Sequence, residues 1–235
     1  KTHIAIVSHF TYKEGEKTEV FPGNVRNFLL RKIGKLAYID HPFIESQGAS
    51  SDFPASQIRI YDQGVKTYQL TSSKIKLPTF ILFAYQLFLT IFFIILKPMK
   101  YDLCIACDNL SLISVSILRK AGLIKRLIYY TVDYSPKRYA NPILNSLYHY
   151  MDRVACMISD VNWVAVSDMI TAKVQNGLNL QKCAPFQVVP IGFNREEISI
   201  KPFEKVNRFN LVYVGMLFEK QGLQLAIKVL PKLIG

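Results

Sequence analysis

Residues 103–132 read LCIACDNLSLISVSILRKAGLIKRLIYYTV. Leu103–Cys107 is an unbroken apolar run of strand length. Leu110–Leu118 carries helical spacing and stops near Gly122. Leu127–Val132 is a second unbroken apolar run. Such strands are apolar on both faces, so the strand–helix–strand order predicts a parallel sheet with helices on both sides.

The same alternation extends outward. Towards the amino terminus, His3–His9 reads as a strand, about Phe10 to Pro22 as a polar loop, and Gly23-Asn24 as the start of a helix with Val25, Phe28, Leu29 and Ile33 on one side. Leu36–Ile39 and Ile58–Tyr61 read as further strands. Towards the carboxyl terminus, Pro142–Ser159 reads as a helix with Pro142 in its first turn. Trp163–Val166 reads as a strand, Ser167 as the cap of the next helix, and Val188-Val189 as the last strand before Pro190-Ile191-Gly192. The pattern then loosens. A linker over 195–207 is expected to divide a first domain, 1–194, from a single strand–helix unit, 208–235, formed by Leu211–Gly215 and Gly222–Leu233.

Composition agrees with a folded α/β chain. Of 235 residues, 50% are hydrophobic and 20% charged, which excludes a disordered polypeptide. Four cysteines over this length exclude a disulfide-stapled mini-domain. The net charge of +12 points to an anionic partner: nucleic acid, an acidic membrane surface or a phosphorylated substrate. The cations are dispersed as short pairs, a pattern equally suited to plain solvation.

Leu77–Leu96 contains no charge and, at ~1.5 Å per residue, would span ~30 Å as a helix. Thr79, Gln86, Thr90 and Lys97 fall within about 40° of one another around that helix. Phe80, Phe83, Phe88, Phe92 and Phe93 occupy the rest of the circumference. A core helix with one hydrogen-bonded seam, a helix lying in a membrane interface and a transmembrane helix all fit the composition. Strands of one sheet on both sides of the segment argue against a crossing. For the interfacial reading, Phe80, Phe88 and Phe92 are the expected membrane contacts.

Catalytic motifs are sparse. No G-x-G-x-x-G follows the first strand, and no phosphate-binding G-x-x-x-x-G-K-[ST] occurs. Cys104 and Cys107 lie three apart on a strand and so point to opposite faces, which makes them core residues rather than metal ligands. His3, His9, His41 and His149 are scattered, and neither a metal nor a cofactor is expected. In open α/β sheets ligands sit beyond the carboxyl ends of the strands. That rule selects Ser8 and His9, then Asp108 and Asn109, then Asp133, Tyr134, Ser135, Lys137 and Arg138, then Ser167. A carboxylate, an amide and two cations on one rim suit a hydroxylated, phosphate-bearing ligand.

Several segments, in order, resemble the retaining GT-B glycosyltransferases of family 4. They are Pro22-Gly23-Asn24 after the first strand, Tyr101–Ile105, Ile128–Pro136 with its Thr131-Val132-Asp133-Tyr134, Val164–Ser167, Val188–Asn194, and Val212–Gly215 through Glu219–Gly222. The resemblance implies two Rossmann-like domains, the first binding the acceptor and the second, truncated here, binding the nucleotide-sugar donor. It implies sugar transfer to a lipid-linked or cell-surface glycan at the cytoplasmic, inner face of the cell membrane. By that resemblance Asp133 and Tyr134 stand at the catalytic position, where the family has a His. His9, Asp108, Asn109, Lys137 and Arg138 fall to the acceptor, and Gly23, Gly215 and Lys220 to the donor diphosphate. Two further departures are Met216, where the family has a diphosphate-binding Arg, and Gln221, where it has a Lys; Lys220 lies one position earlier. A non-catalytic subunit that anchors to the membrane or presents the acceptor to a separate donor-binding chain is the competing reading. A nucleic-acid-binding protein has only the net charge in its favour.

Overall fold

A computed structural model describes residues 2–13, 16–18, 22–43, 55–75, 77–97, 99–192, 201–207, 210–213 and 222–234. The chain divides into two compact units, 1–193 and 194–235.

The first unit is an α/β fold around a mostly parallel mixed sheet. Its strands are β1 (His3–Lys13), β2 (Glu16–Thr18), β3 (Lys35–Pro42), β4 (Gln57–Asp62), β5 (Val65–Thr71), β6 (Tyr101–Ala106), β7 (Ile124–Thr131), β8 (Val161–Val164) and β9 (Phe186–Val188). Eight of them lie side by side in the order β5-β4-β3-β1-β6-β7-β8-β9, while β2 pairs with the far end of β1. Pairing is parallel from β3 through β9 and antiparallel for β3–β4 and β4–β5. The helices of this unit are α1 (Pro22–Leu30), α2 (Thr79–Leu96), α3 (Asn109–Lys120), α4 (Pro142–Ile158) and α5 (Asp168–Gln175).

The strands sort their side chains into two cores. Ala5, Val7, Ile39, Cys104, Leu127 and Tyr129 face one side, where Leu89, Phe93 and Ile94 of α2, Leu112 and Val115 of α3, and Ala155 and Cys156 of α4 cover them. Ile4, Ile6, Leu36, Tyr38, Ile105 and Tyr130 face the other, against Val25, Leu29 and Leu30 of α1. Cys104 lies in the first core and Cys107 beside the second, on opposite faces as their strand spacing requires.

Helix ends follow from local chemistry. The Asp108 carboxylate accepts from Ser111 N at the start of α3, and Arg119 and Lys120 sit in its last turn, where the helix dipole favours cations. Asn141 Oδ1 accepts from Ile143 N and Leu144 N at the start of α4, with Pro142 in its first turn.

Three local expectations are corrected, and one strand is added. Phe10–Lys13 is not loop, because β1 runs on past its neighbours into a short hairpin with β2. The edge hairpin partner β5 goes unread in the sequence; a two-residue turn at Gln63 and Gly64, both at positive φ, joins it to β4. Ser167 lies in helical conformation and makes no cap bond to α5. Leu211–Tyr213 is not in a strand, and Val214 and Gly215 lie outside the described residues. In the second unit the described residues form a 3-10 turn, Phe203–Lys205, and helix α6 (Leu223–Ile234).

Helix α2 resolves the apolar segment. Its Gln86 and Thr90 are buried and form an inward seam, whereas Lys97 of the same stripe is exposed and the Thr79 side chain lies outside the described residues. Phe93 is buried too, whereas Phe88 and Phe92 are exposed; the Phe80 side chain lies outside the described residues. Among the described residues no helix is long and apolar enough to cross a membrane.

Candidate functional site

Strand β1 pairs with β6 only as far as Val7–Ala106, but with β3 as far as Phe10–Pro42. Beyond Val7 a crevice therefore opens between β1 and the loop after β6. Consecutive strands depart to opposite sides of β1 here, which makes this the switch point of the sheet.

His9 lies at that crevice. Its Nδ1 is 2.7 Å from Asp108 Oδ2 and its Nε2 is 3.2 Å from Gln86 Oε1. Gln86 Nε2 donates to the Pro42 carbonyl at 2.8 Å, which fixes the amide with Oε1 towards His9. Both ring nitrogens of His9 thus face acceptors, a geometry that favours the doubly protonated ring. Burial alone would lower its pKa, but the Asp108 carboxylate overrides that and raises it. Asp108 also accepts from Ser111 N and Ser111 Oγ. Burial would raise its carboxyl, yet the His9 charge and these bonds hold it down at about 2.

His41 is the neutral counterpart. Its ring centroid is 5.5 Å from that of His9. Thr90 Oγ1 donates to the Gln86 carbonyl, so it accepts from His41 Nε2, and Ser56 Oγ donates to His41 Nδ1. Burial, reinforced by the neighbouring His9 charge, lowers the His41 pKa to about 3.

Phe43 links this pair to the loop after β7. Its ring lies 5.4 Å from His9 and 5.7 Å from the Arg138 guanidinium carbon. Arg138 donates to Asp133 Oδ2 at 2.5 Å. Asp133 is 69% exposed at its side chain and Asp108 is 25% exposed, so both carboxylates can accept from a ligand.

The loop is held from beneath. Tyr134 hydroxyl donates to His149 Nδ1 at 3.0 Å, and His149 Nε2 donates to the Pro136 carbonyl at 2.8 Å. Asn145 Nδ2 donates to the same carbonyl, and Asn145 Oδ1 accepts from Tyr139 N. Below them Lys173 of α5 donates to Asp152 of α4, which also accepts from the Tyr129 hydroxyl at 2.6 Å.

His9, Asp108, Asp133 and Arg138 therefore come together on one rim. Tyr134 lies under it, with its hydroxyl committed to His149 and its ionisation pushed up by burial. Asn109 donates away from the rim, to the Tyr148 carbonyl, and Lys137 is exposed. Gly23 is buried in the first turn of α1, whose Asn24 donates to the Gly192 carbonyl. Gly215 and Lys220 lie outside the described residues. Phe43, Gln86 and His41 belong to the site but escape the strand-end rule. Gln86 had a signal, as a lone amide in an uncharged helix. Among the described residues no group of three His, Cys, Asp or Glu side chains could hold a metal ion.

The chemistry available is acceptor-rich. Two carboxylates, one apolar ring and the Arg138 and Lys137 side chains suit a hydroxylated ligand that carries an anionic group. His9 is no free base, because both its ring nitrogens already face Asp108 and Gln86. The chain matches no protein-family profile and no curated protein at a significant level.

Proposed function

We propose that this chain is the acceptor-side part of a GT-B glycosyltransferase of the retaining family 4 type, and that its rim holds a lipid-linked or cell-surface glycan acceptor. The observation that carries the reading is that the His9–Asp108 and Arg138–Asp133 pairs both flank Phe43 at the switch point of the sheet. Sugar hydroxyls would donate to the carboxylates, a sugar face would lie against Phe43, and an acceptor phosphate would take Arg138 and Lys137. Transfer needs the acceptor hydroxyl fixed near the anomeric carbon, and a rim pinned to α4 supplies such positioning. Asp133, exposed and oriented by Arg138, is the group best placed to orient that hydroxyl. The donor diphosphate would be held elsewhere, with Gly23, Gly215 and Lys220 as the proposed contacts. The nucleotide-sugar is a substrate, and no cofactor is called for.

The engaged state of His9 and Tyr134 favours a second reading, that of a subunit which presents the acceptor to a separate donor-binding chain.

Calorimetric titration tests the acceptor assignment. A short-chain polyprenyl diphosphate sugar is expected to bind this chain, and Arg138→Ala to weaken binding about tenfold, the scale of one charge-assisted hydrogen bond. UDP and GDP are expected not to bind. Tight nucleotide binding without binding of the polyprenyl sugar would reverse the assignment of sides.

A further inference from the structure

The outward face of α2 is apolar over its described length. Ile81, Ala84, Phe88, Phe92, Ile95 and Leu96 are exposed and fall within an arc of about 120°. Phe88 is 58% exposed and stacks on Phe92 with ring centroids 5.8 Å apart. The opposite arc is fully used by the fold. Gln86 bonds His9 and the Pro42 carbonyl, Thr90 bonds His41, and Leu89, Phe93 and Ile94 enter the core. Of the polar side chains described on this helix, Gln86 and Thr90 are so engaged, and Tyr85 is half-buried with its ring against the core.

The charge in the sequence flanking this helix has one sign. From Gln63 to Tyr101 the sequence carries Lys66, Lys74, Lys76, Lys97 and Lys100 and no Asp or Glu. Lys74 precedes α2 and Lys97 and Lys100 follow it, all three exposed. A protein partner for such a stripe would need an apolar groove closed by acidic residues at both ends. An anionic bilayer offers both features over an unlimited area, with acyl chains for the phenylalanines and headgroups for the lysines.

We infer that α2 is an interfacial helix that docks this chain onto an anionic lipid surface, with Phe88 and Phe92 inserted and Lys74, Lys97 and Lys100 on the headgroups. Gln86 is contributed by the same helix, so docking holds the His9–Asp108 rim within a helix diameter, about 10 Å, of the lipid. A lipid-borne ligand would reach the rim without leaving the surface. The inference stands apart from sugar transfer, since its test contains neither nucleotide nor sugar.

The full chain is mixed with vesicles of phosphatidylcholine alone and with vesicles containing phosphatidylglycerol, then sedimented. It is expected to pellet with the anionic vesicles only, less so at high salt. The Phe88→Ser/Phe92→Ser variant should keep its circular dichroism and melting temperature, because both rings are exposed, and bind at least about tenfold more weakly. In a second measurement, Phe88→Trp should shift its emission to the blue on anionic vesicles. Equal binding by the folded double variant, or no blue shift, would overturn the inference. So would self-association of the chain that the double variant abolishes while neither form binds vesicles, which would assign the stripe to a second copy.

Discussion

His9 and His41 lie ring to ring, yet their surroundings bias their protonation in opposite directions. An unfolded histidine titrates near 6.5. His9 is raised above that value, so its stabilisation is fully present below pH 6.5 and is lost as pH climbs through its folded value. His41, lowered to about 3, acts in the other limb. Its stabilisation is present above 6.5 and is lost as pH falls towards 3. Asp108 adds a loss only below its ordinary value of 3.8. Melting temperature measured between about pH 4 and 9 is expected to peak near 6.5, and His41→Gln to flatten the acid limb while sparing the alkaline one. Stability that keeps rising through pH 8 would show that His9 is not charged. The strand-end rule finds His9 and Asp108 because both follow unbroken apolar runs. It misses His41 and Phe43 because the sequence reading ends that strand at Ile39, whereas β3 runs on beside β1 to Pro42.

At the scale of elements, the loop over 133–141 is positioned by α4 and α5 rather than by its own sequence. Lys173 and Asp152 are both buried, and the ammonium lies 5.0 Å from the Tyr129 ring and 4.7 Å from the Tyr134 ring. Removing one member of a buried ion pair leaves the other uncompensated, at a cost of about 3–5 kcal/mol. Urea unfolding of Lys173→Met should show a loss of that size. Adding Asp152→Asn should recover most of it, since the amide oxygen still accepts from Tyr129. A loss that the second change deepens would mean the cost lies in packing rather than in charge. None of this is readable in the sequence, where Lys173 reads as one cation in a short polar helix. Helix α2 was half legible. Its uncharged length and its stripe of Thr and Gln were plain, but a seam and a solvent face look alike until the residues opposite them are known.

On the scale of the molecule, the parallel strand order follows from the unbroken apolar runs, and the structure bears that architecture out from β3 to β9. The antiparallel extension by β4 and β5 escaped because β5 alternates between exposed and half-buried residues and carries no apolar run. On the proposed function, the acceptor lies on the rim of His9, Asp108, Asp133 and Arg138. The most direct measurement is photo-crosslinking with a diazirine-bearing polyprenyl diphosphate sugar, with the labelled peptides mapped by mass spectrometry. Label is expected on the peptides that carry Phe43 and residues 133–138, competed by unlabelled ligand and reduced by Arg138→Ala. Competable label confined to the outer surface of α3 and α4, around Ile113 and Tyr150, with the rim unlabelled, would contradict it.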